Sequence, residues 1–166
     1  MAEEQNIFLS LGSNLGDRYK NIINGINLLN NHPHIWVVNE SYIYETSPMY
    51  NSNQNKFYNI VIEIETNILP VELLDVIKEI EKKTGRELSC KRNMPRTLDV
   101  DILVFGDSVI QSDFLSIPHP RIKERNFVLK PWSDIAPDYI MPNQVQNINE
   151  LLIASKDTTD IKMVLI

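Results

Sequence analysis

Pro95-Arg96-Thr97-Leu98-Asp99-Val100-Asp101-Ile102-Leu103-Val104-Phe105 carries two carboxylates two residues apart inside an otherwise apolar run. Residues i and i+2 of a strand share a face, so Asp99 and Asp101 stand side by side while Val100, Ile102, Val104 and Phe105 feed a core. Two acids at that spacing repel, and a divalent cation between them relieves the repulsion. Hard oxygen ligands on a rigid strand suit Mg²⁺ when substrate phosphates complete its shell. Acids alternating with apolar residues also describe a strand with one wet face, as in Val61-Ile62-Glu63-Ile64-Glu65. What separates the two is the approach. Lys82, Lys83, Arg86, Lys91, Arg92 and Arg96 lie just upstream, opposed in that stretch by Glu87, in a chain of net charge −6. A basic loop leading into an acidic pair suits a metal-bound polyphosphate.

Outward from that strand, the remaining elements set the fold class. Ile7-Phe8-Leu9-Ser10-Leu11 reads as a central strand stopping at Gly12. Ile22, Ile23, Ile26, Leu28 and Leu29 recur at near-helical spacing over Arg18 to Asn30, with Asp17 as N-cap and Pro33 beyond the end. Ile35 through Tyr44 reads as a second strand and Tyr58 to Ile64 as a third. Pro70 opens a second amphipathic helix with Leu73, Leu74, Ile77 and Ile80 on its core side, and Gly85 stops it. The order β-α-β-β-α-β, closed by the Asp-Val-Asp strand, predicts an α+β fold with a ferredoxin-like βαββαβ core. A C-terminal extension follows: a turn at Gly106-Asp107, a Pro-rich stretch Ile117-Pro118-His119-Pro120, a short helix near Arg121 to Leu129, and an apolar tail. Trp36 and Trp132 read as structural anchors.

The 166 residues fit a single domain spanning 1–166, with no internal repeat or linker and no room for a fused partner enzyme. The single cysteine, Cys90, has no partner for an internal disulfide and reads as a passive thiol, which suits a reducing cytosol. The acidic start Met1-Ala2-Glu3-Glu4-Gln5-Asn6 lacks the features of a signal peptide, and no apolar run approaches the roughly 20 residues of a membrane span. A cytoplasmic protein without nucleic-acid or membrane partners is expected. Two long polar connections, Ser47 to Lys56 and Arg86 to Thr97, read as lids over the acidic strand.

Four motifs in order are Leu11-Gly12-Ser13-Asn14-Leu15-Gly16-Asp17-Arg18, Tyr44-Glu45-Thr46-Ser47-Pro48, Pro95-Arg96-Thr97-Leu98-Asp99-Val100-Asp101-Ile102 and Ile117-Pro118-His119-Pro120-Arg121. Over about Ile7 to Pro142 the chain resembles the 6-hydroxymethyl-7,8-dihydropterin pyrophosphokinase family of folate biosynthesis. The resemblance implies the same ferredoxin-like fold. It also implies an enzyme that transfers pyrophosphate from MgATP to the pterin hydroxymethyl group and releases AMP. Asp99 and Asp101 would hold two Mg²⁺ ions, and Arg86 and Arg96 would act with them as the catalytic set, clamping phosphates. Glu81, Ile102, His119 and Arg125 match further ATP-contacting positions. Thr46, Ser47, Met49, Phe57, Asn59 and Phe127 match the pterin site, with Phe57 and Phe127 as the stacking pair and Asn59 as the edge reader. ATP and 6-hydroxymethyl-7,8-dihydropterin are the small-molecule partners the resemblance implies, and a monomer is expected.

The chain departs from the family pattern at Asn93, Met94 and Tyr50, where Trp, a small residue and Gly are usual. These changes bear on loop closure and leave the carboxylates in place. The turn Gly12-Ser13-Asn14-Leu15-Gly16 lacks the Gly-Lys-Ser/Thr ending of a P-loop and reads as a tight strand-to-helix turn. Two other readings use the same features. An RNA-binding βαββαβ module would need a basic, aromatic strand motif that is absent here. A different metal-dependent phosphotransferase would use the same aspartates on another acceptor and differ in its products.

Overall fold

In the computed structural model, which describes residues 5–50, 52–85 and 94–166, the elements run β1 (Ile7–Ser13), α1 (Arg18–Asn30), β2 (Ile35–Glu40), β3 (Tyr44–Thr46), β4 (Phe57–Thr66) and α2 (Pro70–Lys83). There follow β5 (Asp99–Phe105), the two-residue strands β6 (Ile110–Gln111) and β7 (Ser116–Ile117), a 3₁₀ turn (Ile122–Glu124), α3 (Asn126–Ile135), α4 (Ile148–Ala154) and β8 (Ile161–Met163). The main sheet has the order β5-β1-β4-β3-β8, with β2 also on β4, and all its pairings are antiparallel. This is a mixed helix and antiparallel-sheet fold.

Strand β1 is buried at every position because it is flanked by β5 and β4 and covered on both faces. On one face Leu9, Leu11, Ile60, Ile62, Val100 and Ile102 pack with Ile22, Ile26 and Leu29 of α1 and Leu73, Ile77 and Ile80 of α2. On the other, Phe8, Val61, Leu103 and Val104 lie with Leu129 and Trp132 of α3 and Leu151 of α4. Each fully buried aliphatic side chain contributes about 1.5–3 kcal/mol. Phe8 pairs with Val104 and Leu9 with Ile102, so Leu103 is an extra residue on β5. The bulge turns Val104 toward α3 and Phe105 toward the opposite core, which lets the whole Leu103-Val104-Phe105 run be buried.

The α3 face of the three central strands changes character along its length. Phe8 gives way to Ser10 and Gly12 on β1, Val61 to Asn59 and Phe57 on β4, and Leu103 to Asp101 and Asp99 on β5. Register aligns these changes: Ser10 pairs with Asp101 and Val61, and Gly12 with Asp99 and Asn59. Helix α3 covers the apolar half and leaves the polar half open.

Asp17 caps α1 by accepting from the Lys20 amide at 3.0 Å, and Gly85 after α2 takes φ +95°, both as the sequence predicts. The second strand differs, being split into β2 and β3. Its register slips between Val37 and Asn39, and Ser41 takes up the bonding: its amide donates to the Val61 carbonyl and its Oγ accepts from the Val61 amide. Helix α3 runs to Ile135, past the predicted end at Leu129, with Pro131 inside it and Trp132 fully buried. Apolar packing there outweighs the main-chain bond that proline forfeits. Helix α4 was not expected from the sequence. Of the two tryptophans, Trp132 is the anchor, whereas Trp36 is 47% exposed. Among the described residues no helix is long and apolar enough to cross a membrane.

Candidate active site

The open half of the sheet forms the floor of a cleft of about 540 Å³. Ser10, Gly12, Asn59, Asp99 and Asp101 make the floor. Residues 46–50, Gln54 and Phe57 form one wall, His119 to Arg121, Arg125 and Phe127 the other, and Arg96 closes the end nearest the aspartates.

At the acidic end, Arg96 Nη1 lies 2.5 Å from Asp99 Oδ2 and Arg125 Nη1 lies 3.9 Å from Asp101 Oδ2. Burial first, and then the charges of Asp99 and Glu81, push the Asp101 carboxyl well above the usual carboxylate range, while Arg125 and Arg96 pull the other way. Protein hems Asp101 on the sheet side, yet its side chain is 39% exposed to the cleft, so water there moderates the shift. Such a carboxylate gains from a cation more than an ordinary surface acid does. Two carboxylates on a strand fit Mg²⁺ that keeps waters and phosphate oxygens in its remaining positions. Among the described residues no cluster of three or more His, Cys, Asp or Glu side chains stands ready to hold a metal.

Glu81 does not line the cleft. It is buried behind β5, where its Oε1 accepts from the Val100 amide at 2.9 Å, and its charge reaches Asp101 from there. Ile102 turns its side chain into the α1/α2 core, leaving its main chain for any ligand. His119 is placed by its amide donating to the Leu103 carbonyl at 2.9 Å. Burial, then Arg125 and Arg121, lower its pKa to about 4, so the ring is neutral at pH 7. Its Nδ1 accepts from the Arg121 amide at 3.2 Å, which puts the proton on Nε2 as a donor.

At the other end, Asn59 is 3% exposed and its Nδ2 donates to Thr46 Oγ1 at 2.6 Å. That bond fixes the amide, with Oδ1 against the bare Cα of Gly12: a Cβ there would lie 2.9 Å from Oδ1. Phe57 and Phe127 contribute aromatic walls, the Phe127 ring lying 5.4 Å from the Arg125 guanidinium, and Ser47 and Met49 also line the cleft.

The cleft therefore brings together Thr46, Ser47, Met49, Phe57, Asn59, Arg96, Asp99, Asp101, His119, Arg125 and Phe127. Arg86, with Cys90 and Asn93, lies outside the described residues, and Met94 is 45% exposed. Sequence reasoning did not single out Ser10, Gln54 or Arg121, nor Tyr50 as a wall. Tyr50 lies under the guanidinium groups of Arg121 and Arg125, at 5.6 and 5.7 Å, and its Oη accepts from Arg125 Nε at 3.3 Å. Its departure from the family glycine was the signal for that contact.

Paired carboxylates among guanidinium groups, with a fixed amide and aromatic walls in the same cleft, define a site suited to joining a polyphosphate to a flat polar ring. The sequence profile of 7,8-dihydro-6-hydroxymethylpterin-pyrophosphokinase (HPPK) matches residues 8–137. The 2-amino-4-hydroxy-6-hydroxymethyldihydropteridine pyrophosphokinase of Bacillus subtilis is 41% identical over 128 residues, covering 77% of this chain and 76% of that protein. The Aquifex aeolicus protein of the same name is 39% identical over 136 residues, covering 82% and 83%. The Dictyostelium discoideum folic acid synthesis protein FOL1 is 43% identical over 136 residues, 82% of this chain. The chain spans about a fifth of the length of that protein and of its fungal counterparts. The crystal structure of Plasmodium falciparum HPPK-DHPS with pteroate matches in fold, with a TM-score of 0.70 at 20% identity over 92% of this chain and 43% of that one. The chain belongs to the HPPK family.

Proposed function

We propose that this protein transfers pyrophosphate from ATP to 6-hydroxymethyl-7,8-dihydropterin, giving AMP and the pterin diphosphate. The observation that carries this reading is one cleft with two unlike groups of side chains: Asp99 and Asp101 with Arg96 and Arg125, and Asn59 with Thr46 and Phe57, Phe127 lying 5.4 Å from the Arg125 guanidinium. The aromatic walls hold the pterin ring, and the Asn59 amide reads its edge. The pterin hydroxymethyl oxygen then bonds to the β-phosphorus. The bond from that phosphorus to the α,β-bridging oxygen breaks, AMP leaves with the electron pair, and the hydroxyl proton passes to water. Asp99 and Asp101 would hold two Mg²⁺ ions, which would supply positive charge to offset that of the triphosphate and of the transition state.

Arg96, with Arg86 from the same connection, stabilises charge on the transferring group, so Arg96 must share or exchange its pair with Asp99. His119 and Arg125 orient the phosphates as neutral donor and cation, and Glu81 positions β5 from behind. The β5-β1-β4 order, completed by β2 and β3 and covered by α1 and α2 on one face, supports a ferredoxin-like βαββαβ core. The protein acts as a cytoplasmic monomer. Incubation with ATP, Mg²⁺ and the pterin, followed by separation of the nucleotides, tests the reaction. AMP forming only when all three are present supports it; ADP or free phosphate instead assigns the cleft to a different phosphotransferase.

A further inference from the structure

The turn after β1 contains a buried amide that the chemistry above does not use. Asn14 is 1% exposed, and its side chain spends both ends on different loops. Its Oδ1 accepts from the Arg96 amide at 2.7 Å, while its Nδ2 donates to Gln54 Oε1 at 2.8 Å and to the Asn55 carbonyl at 3.4 Å. The orientation is unambiguous, because the Arg96 amide can only donate and the Asn55 carbonyl can only accept. The main chain adds a fourth bond, from the Asn14 amide to the Arg96 carbonyl at 3.1 Å. The turn itself is tied to α1: Asn21 Nδ2 donates to the Leu15 carbonyl at 2.7 Å and to Ser13 Oγ at 3.2 Å. One anchored side chain therefore joins the connection that ends in Arg96 to the connection that carries Gln54 and the ring-facing wall. The two lie 82 and 40 residues from it in sequence.

We infer that Asn14 is a positioning residue that sets the phosphate-clamping and ring-holding ends of the cleft against each other through Arg96 and Gln54. A buried amide suits the task. It satisfies a donor and two acceptors at once, so displacement of either loop leaves a buried polar group unpaired. Serine, alanine or aspartate cannot make the same three bonds. The inference rests on the reaction proposed above for its catalytic consequence, while the coupling itself can be read without substrate.

Amide hydrogen exchange of Arg96 in the free protein is compared for the wild type, Asn14→Ala and Gln54→Met. Gln54→Met keeps the side-chain length and removes the bond to Asn14 while leaving both hydrogen bonds between Asn14 and Arg96 in place. Protection of the Arg96 amide is expected to fall about tenfold in Asn14→Ala and about threefold in Gln54→Met, the scale of one hydrogen bond lost directly and one lost at a remove. Unchanged Arg96 protection in Gln54→Met overturns the coupling, whether or not Asn14→Ala folds. In turnover, Asn14→Ala is expected to lower kcat about tenfold and raise the pterin KM, and adding Gln54→Met should raise that KM no further. Independent, multiplying effects in the double variant would make Asn14 a merely structural residue. If the wild type forms no AMP, the proposed reaction fails and the exchange measurement still decides this inference.

Discussion

Gly12→Ala tests the ring-holding end of the cleft with the smallest possible change. Gly12 sits in regular strand between Asp99 and Asn59, without positive φ, so its lack of a side chain matters for space and not for backbone freedom. The added methyl would lie 2.9 Å from Asn59 Oδ1, and 3.7 Å from Phe57 Cδ1 and the Tyr58 carbonyl. The last two are ordinary contacts; the first is too close and must be relieved. Asn59 is buried and bonded to Thr46 at 2.6 Å, so moving Oδ1 by about half an ångström draws Nδ2 off its partner. Weakening one buried neutral hydrogen bond costs about 1 kcal/mol, and Ala in place of Gly returns about 0.5–1 kcal/mol of strand stability. The thermal midpoint should therefore move little, by less than about 4 °C. Pterin binding should weaken about tenfold, since the displaced amide no longer meets the ring edge. Titration of pterin fluorescence, beside titration with a non-hydrolysable ATP analogue, gives both affinities. Unchanged pterin affinity, or an equal loss for the nucleotide, would refute the assignment of Asn59 and Gly12 to the ring.

Asp101→Asn should abolish most turnover while raising the midpoint of the metal-free protein by about 2–4 °C. That corresponds to about 1 kcal/mol for a charge held against burial and Asp99, discounted because the side chain is 39% exposed; a lower midpoint would contradict the repulsion. Arg96→Ala should lower kcat about 10²-fold or more with a smaller effect on ATP affinity, and a pure affinity loss would make it a ground-state binder. His119 is held to about 4 in the folded state, below its unfolded value near 6.5. Between those values the unfolded chain takes up a proton that the folded one does not, so stability falls as pH drops from about 6.5 to 4. His119→Gln should remove that part of the pH dependence in thermal unfolding, and a parallel profile for both proteins would reject the lowered pKa.

Much of this site was legible because it lies along strands, where local pattern is informative. The two-residue spacing of Asp99 and Asp101 placed both on one face, whereas Ser10 and Gly12, which read as part of an apolar strand and its stop, join that polar face only through the register of β1 with β4 and β5. What sequence could not supply was contact across the chain. Asn14 looked like part of a turn because its partners are Gln54, Asn55 and Arg96. Glu81 looked like a ligand on a helix, yet it serves the Val100 amide from behind the sheet. The break at Ser41 was hidden because the flanking residues suit extended structure equally well; the slip in register along β4 is a tertiary event. Pro131 hid the second half of α3, whose helical state is secured by the burial of Trp132 under the sheet.

The most direct measurement of the central claim is a phosphorus NMR spectrum of the complete reaction of ATP, Mg²⁺ and 6-hydroxymethyl-7,8-dihydropterin. Two mutually coupled phosphorus signals on the pterin, growing in equal amount with AMP in the wild type and missing in Asp101→Asn, are the result expected of the cleft. A single phosphorus on the pterin accompanied by ADP, or phosphate release with the pterin unchanged, would contradict it.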